Sequence, residues 1–184
     1  MALIQLNNNL PGILGLMAYQ SETTGHLQEL TNALLWEDNS LSRGERELIA
    51  AYTSWLNECI FCLKSHGTSA MHYMKCDETF MESVRKDYKK SKLSPKMKSL
   101  LAIAAAVHKS GQSVTQDQFG EARKKGASDN EIHDTILIAA AFSMFNRYVD
   151  GLATNLPADD SFYAQSTAMI EAHGYSRKAG MMDK

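Results

Sequence analysis

A serine stands before three of the apolar runs in this chain, and behind each the hydrophobic residues return at helical intervals. Ser42 is followed three positions on by Glu45, a capping-box signature, and Leu48, Ala51, Tyr52 and Trp55 then repeat at i, i+3, i+4, i+7. Ser128 with Glu131 opens a longer run through Ile132, Ile136, Ala139 and Ser143 toward Asp150. Ser94 precedes Pro95, and a proline at the first helical position gives up no hydrogen bond the helix needs; Met97, Leu100, Leu101, Ala104 and Val107 follow. Weaker patterns predict further helices over 24–36, around Phe80, Val84 and Tyr88, over 115–125 with Gly126 as its stop, and from Asp159 or Asp160 to Gly174. Leu10-Pro11-Gly12-Ile13 reads as an apolar turn in an N-terminal segment lying across the body of the protein. No stretch alternates polar and apolar residues between hairpin turns. The expectation is an all-α fold of about seven helices in a single domain spanning residues 1–184. The two serine–glutamate boxes also suggest a duplicated helical hairpin, in which only the first copy keeps reactive side chains.

Charge and hydropathy exclude several classes of partner. Nineteen basic and 21 acidic residues give a net charge of −2, which leaves no electrostatic footprint for nucleic acid. The longest apolar stretch, Leu100 to Val107, is far shorter than the ~20 residues of a bilayer span. Residues 1–20 hold no Lys or Arg, so the basic start of a secretory signal is absent. A soluble, cytoplasmic protein without membrane partners is expected. Three cysteines in 184 residues cannot staple a fold, and two of them form Cys59-Ile60-Phe61-Cys62, which turns attention to thiol chemistry.

Asn57 can accept a hydrogen bond from an orphan amide and so predicts a new N-cap, with a helix from Glu58 to about Met74. On such a helix Cys59 and Cys62 share a face, with His66 one turn further on. Two thiols one turn apart can close a disulfide while the fold barely changes. The reactive species is thiolate, whereas an ordinary cysteine, with a pKa of ~8.5, is mostly thiol at neutral pH. The helix N-terminus favours a negative charge at Cys59, and His66 can take the proton of Cys62. Glu47 on the preceding helix is the favoured group to orient that imidazole, with Glu58 as its local rival. A buried, inert cysteine pair and a zinc site completed by Glu58, His72 or Cys76 are the alternatives. Cys76 has no evident partner; His26, His108, His133 and His173 read as surface or packing residues. Arg147, Tyr148 and Asp150 are candidates to line the same pocket from the second half of the chain.

Glu47, eleven intervening residues, Cys59-x-x-Cys62 and x-x-x-His66 resemble the active-site pattern of alkylhydroperoxidase D-like proteins in the carboxymuconolactone decarboxylase superfamily. The opening Leu10-Pro11-Gly12-Ile13-Leu14-Gly15-Leu16, with Leu152-Ala153 near the end, is similar to the peroxidase-related branch of that group. The resemblance covers nearly the whole chain. It implies an all-helical subunit that forms homo-oligomers and reduces hydroperoxides through thiols, with no metal or organic cofactor. It further implies that Cys62 attacks the peroxide, that His66 and Glu47 relay its proton, that Cys59 resolves the product, and that a thiol or dithiol reductant restores the pair. Where well-known relatives have a histidine beside the second cysteine this chain has Phe61, which makes the site more apolar and suits organic hydroperoxides. The apolar helix at 100–107 is the surface expected to meet a neighbouring subunit. A general thiol–disulfide oxidoreductase, a lactone decarboxylase-type enzyme and a non-catalytic redox sensor are the other readings.

Overall fold

The structure, a computed structural model, describes residues 2–175; residue 1 and residues 176–184 of the expected domain lie outside them. Among the described residues the chain folds into nine α-helices and no strand. They are α1 (Ile13–Tyr19), α2 (Ser21–Leu35), α3 (Arg43–Leu56), α4 (Ile60–Met74), α5 (Glu78–Asp87), α6 (Pro95–Lys109), α7 (Gln116–Lys124), α8 (Asp129–Gly151) and α9 (Ser161–His173), with one 3₁₀ turn at Gly111–Ser113. The helices exceed the expected seven in part because α1 forms in the segment read only as an apolar turn. No described helix is long and apolar enough to cross a membrane.

The serine signals work as local physics requires. The Ser42 hydroxyl accepts from the Glu45 amide while the Glu45 carboxylate accepts from the Ser42 amide, and Ser128 with Glu131 repeats the arrangement. Ser94 caps α6 by accepting from the Met97 amide. Lys96, on the first turn of α6, binds both box glutamates, with Nζ 2.6 Å from Glu131 and 3.9 Å from Glu45. One cation therefore ties together the N-termini of α3, α6 and α8.

Helix α3 is the axis of the molecule. Its most extensive packing is against α4, and it also meets α6 and α8. Residues Arg46 to Ser54 are all buried, so its polar side chains need partners inside the protein. Arg46 donates to the Leu34 carbonyl at 3.0 Å and Thr53 to the Ile49 carbonyl at 2.9 Å; Glu47 is taken up below. Leu48 and Ile49 are completely covered, each worth about 1.5–3 kcal/mol relative to exposure. The apolar stretch of α6 is consumed in the same core: Leu100, Leu101, Ile103 and Ala104 are fully buried within the subunit. Those four residues are closed to a neighbouring subunit, because α3 and α8 already cover them, while Ala102, Ala105 and Val107 stay half-buried.

Candidate active site

The break between α3 and α4 builds the site, and it falls two residues later than the asparagine signal suggests. Asn57 closes α3 as its C-cap, Glu58 takes a left-handed conformation (φ 60°), and Cys59 is the N-cap of α4. The Cys59 amide turns back to the Ser54 carbonyl at 3.0 Å. Asn57 does not cap α4, because tertiary contacts to His108 and Asn146 claim its side chain at 2.9 Å each. Cys59 thus sits at the helix threshold and Cys62 in the first turn, among amides that favour negative charge. Both thiols are buried and free, with Cys59 wholly covered and Cys62 3% exposed.

Glu47 of α3 lies completely buried beneath His66 of α4. Its Oε2 is 2.8 Å from His66 Nδ1, and its Oε1 accepts from the Tyr175 hydroxyl at 2.6 Å. The exposed Glu58 does not take this part. The carboxylate fixes the imidazole with Nδ1 inward, which leaves Nε2 as the nitrogen able to work on a reacting group. Phe142 packs edge-on against the ring at 4.5 Å and Tyr175 stacks beside it at 6.1 Å. Tyr175, just beyond the helix-stopping Gly174, completes this site and carries no sequence signal of its own. Burial and the neighbouring Glu47 push its phenol well above the ordinary range, so it stays a donor.

Cys62 and His66 line one cavity of about 90 Å³ whose walls include Ile13, Phe61, Phe142 and Tyr175. Phe61 and Phe162 pack at a 45° tilt by the cysteine end of the site, with ring centroids 6.4 Å apart. From α8 the cavity takes Phe142 and Phe145, not the expected Arg147 or Tyr148; Asp150 acts on Cys62 only through its charge. No hydrogen bond joins His66 to either sulfur among the described residues. Cys62 lies instead in a buried cluster with Cys59, Phe61, Val149 and Tyr163. The Cys59 contact, together with burial, pushes the Cys62 thiol well up, while the Asn146 amide pulls it down. In this dithiol arrangement the balance opposes the depressed thiol expected from the sequence, so Cys62 needs a base that takes its proton as it reacts. Among the described residues no group of three His, Cys, Asp or Glu is arranged to hold a metal ion. His72 pairs on the surface with Glu171 at 3.0 Å. Cys76 packs half-buried against the main core, away from the other two thiols.

The sequence model of the carboxymuconolactone decarboxylase family matches residues 22–85 and again residues 75–154. The chain belongs to the carboxymuconolactone decarboxylase family. The double match agrees with the duplication suggested by the sequence, and the family is enzymatic, which supports an enzyme in general. Its fold is that of the alkylhydroperoxidase D-like members. A crystal structure described as an alkylhydroperoxidase AhpD core, an uncharacterised peroxidase-related protein from Ralstonia eutropha JMP134, is 26% identical with a TM-score of 0.75, over 82% of this chain and 79% of that one. An uncharacterised peroxidase-related protein from Silicibacter sp. TM1040 is 26% identical with a TM-score of 0.73, over 80% and 77%. A protein of unknown function from Agrobacterium tumefaciens shares the fold at 20% identity and a TM-score of 0.61, over 76% and 92%. No curated protein matches the sequence at a significant level.

Proposed function

We propose that this family member is a thiol peroxidase that reduces organic hydroperoxides with the Cys59–Cys62 pair. The observation that carries the reading is the meeting of Cys62 and His66 at one largely apolar cavity, with the imidazole held from behind by the buried Glu47 at 2.8 Å. Two relatives of the same fold are described as peroxidase-related, which favours peroxide over lactone chemistry; a lactone decarboxylase would leave two buried thiols without work.

In this reading the hydroperoxide seats its distal oxygen against the Cys62 sulfur. His66 Nε2 takes the thiol proton, and Glu47 steadies the resulting imidazolium. The sulfur electron pair forms an S–O bond as the O–O bond breaks, and the leaving alkoxide departs as an alcohol with the proton from His66. Sulfur has then lost two electrons to the peroxide and stands as a sulfenic acid. Cys59 attacks that sulfur, an S–S bond replaces the S–O bond, and the hydroxyl leaves as water with the Cys59 proton. A dithiol reductant returns both sulfurs to thiols by exchange and becomes a disulfide itself. The test is consumption of an alkyl hydroperoxide in the presence of dithiothreitol. The wild-type chain turns over and Cys62→Ser does not; a fully active Cys62→Ser protein overturns the reading. Homo-oligomerisation belongs to the same proposal, carried by the family resemblance and testable by light scattering.

A further inference from the structure

One buried amide grips the turn that carries Cys59. Asn146 of α8 accepts from Asn57 Nδ2 at 2.9 Å and donates to Ser54 Oγ at 3.1 Å. Asn57 is fixed on its other edge as well, where its Oδ1 lies 2.9 Å from His108 Nδ1 in the last turn of α6. Asn146 is 1% exposed and Ser54 is completely buried. Just past these two gripped residues the backbone reverses: Glu58 donates to the Trp55 carbonyl and Cys59 to the Ser54 carbonyl, both at 3.0 Å. The reversal needs Glu58 in the left-handed region (φ 60°), which glycine adopts freely and a residue with a Cβ resists. The Glu58 side chain is exposed and makes no hydrogen bond among the described residues, so it does not hold the turn itself. A strained turn persists where its surroundings over-determine it, and here Asn57, Asn146 and Ser54 supply that constraint.

We propose that Asn57 and Asn146 are positioning residues for the resolving thiol, clamping the Glu58 turn so that Cys59 stands ready to close on Cys62. This role rests on the reading of the pair as a dithiol that closes to a disulfide, and adds the residues that hold its second thiol in place. The other caps of the protein show what the clamp sets up. Ser42, Ser94 and Ser128 each reach the amide three residues on, at 3.3, 3.2 and 3.2 Å. Cys59 occupies the same N-cap position on α4 but makes no such bond, and the third residue of that helix is Cys62. An N-cap side chain is aimed at the third helical residue, so the S–S bond can form by rotation about side-chain bonds with the backbone left in place. Without the clamp the left-handed turn is free to relax, and Cys59 leaves the N-cap position together with its sulfur. Both asparagines act in this role through the backbone of Cys59 and not on a sulfur.

The test reads the stability of the disulfide, which does not depend on peroxidase activity. The full chain is equilibrated in graded mixtures of reduced and oxidised glutathione and quenched with N-ethylmaleimide, and the Cys59–Cys62 disulfide is quantified by peptide mass spectrometry. On closure the two thiols lose two electrons and two protons, and one oxidised glutathione becomes two thiols. Asn57→Ala removes two hydrogen bonds of the clamp and is expected to lower the equilibrium constant for closure about tenfold. Adding Glu58→Gly is expected to restore it to within about threefold of wild type, because glycine keeps the left-handed turn without a clamp. A folded Asn57→Ala protein with the wild-type constant overturns the proposal, even if its melting temperature falls. A loss that Glu58→Gly leaves unrepaired overturns it too. If Asn57→Ala does not fold, His108→Ala decides: a fall of about threefold, repaired by Glu58→Gly, supports the clamp, and a wild-type constant overturns it. A wild-type chain that closes its disulfide but consumes no hydroperoxide refutes the peroxidase reading and leaves this inference standing. A wild-type chain whose two thiols never join overturns both.

Discussion

Replacing Glu47 by glutamine keeps the shape of the buried side chain and removes its charge. Both carboxylate oxygens are used, one by His66 Nδ1 at 2.8 Å and the other by the Tyr175 hydroxyl at 2.6 Å. Glutamine can satisfy both positions, its carbonyl accepting from Nδ1–H and its amide donating to the phenol oxygen, so the histidine keeps its tautomer. What disappears is the charge-assisted part of the contact when His66 becomes imidazolium. Hydrogen bonds to charged groups contribute about 1.5–3 kcal/mol, and each ~1.4 kcal/mol is a factor of ten. The second-order rate of hydroperoxide consumption should fall about 10- to 100-fold. Stability should hold or rise, because a buried carboxylate carries a desolvation cost that the amide avoids. Stopped-flow measurement with excess dithiothreitol gives the rate and thermal unfolding gives the stability. A Glu47→Gln protein within twofold of the wild-type rate would refute the argument that this carboxylate supports a charged His66.

Other perturbations have outcomes set by the same contacts. Tyr175→Phe removes the second donor to Glu47, and peroxide consumption should fall about threefold to tenfold with the melting temperature little changed; a wild-type rate would mean that Tyr175 only packs. Glu131 titrates below its ordinary range because the Lys96 ammonium and the Ser128 cap outweigh the effect of its burial. Its folded-state value is depressed, so its contribution of about 1 kcal/mol is present above the unfolded carboxylate value and is lost as pH falls through the folded one. Denaturant unfolding of Glu131→Gln should therefore show a deficit at pH 7 that shrinks as the pH falls below the ordinary carboxylate range and is gone once the depressed folded-state value is passed, and a deficit constant with pH would contradict it. At Gly12 the backbone is left-handed (φ +56°), and a Cβ there would stand 2.4 Å from the Phe61 ring. Gly12→Ala should cost about 1–3 kcal/mol by urea denaturation and disturb the wall of the cavity; an unchanged midpoint would show that the N-terminal segment is not held against Phe61.

The helices could be read from the sequence wherever their signals are local. Ser42 with Glu45, Ser94 with Pro95 and Ser128 with Glu131 act within one turn, and each begins a helix where the pattern places it. Helix α1 has no polar phase to mark a face, and its start at Gly12 is set by the Asn155 carbonyl, 143 residues away. Asn57 is a better intrinsic cap than Cys59, yet His108 and Asn146 recruit its side chain and the break moves to the cysteine. Of the site, Cys59, Cys62 and His66 were visible because helical spacing joins them, and Glu47 because it precedes them at a family-like interval. Tyr175 joins Glu47 from 128 residues further along the chain, and Asn146 joins Ser54 from 92. No spacing rule joins residues so far apart, and only the packing of α8 and α9 brings them in.

The most direct measurement is the fate of Cys62 in Cys59→Ser protein after one equivalent of an organic hydroperoxide, trapped with dimedone and read by peptide mass spectrometry. Without its resolving partner, Cys62 should accumulate as the sulfenic acid and carry the dimedone adduct, while the wild-type chain yields a Cys59–Cys62 disulfide. An adduct found on the more accessible Cys76 with Cys62 untouched, or no adduct at either thiol, would contradict the account.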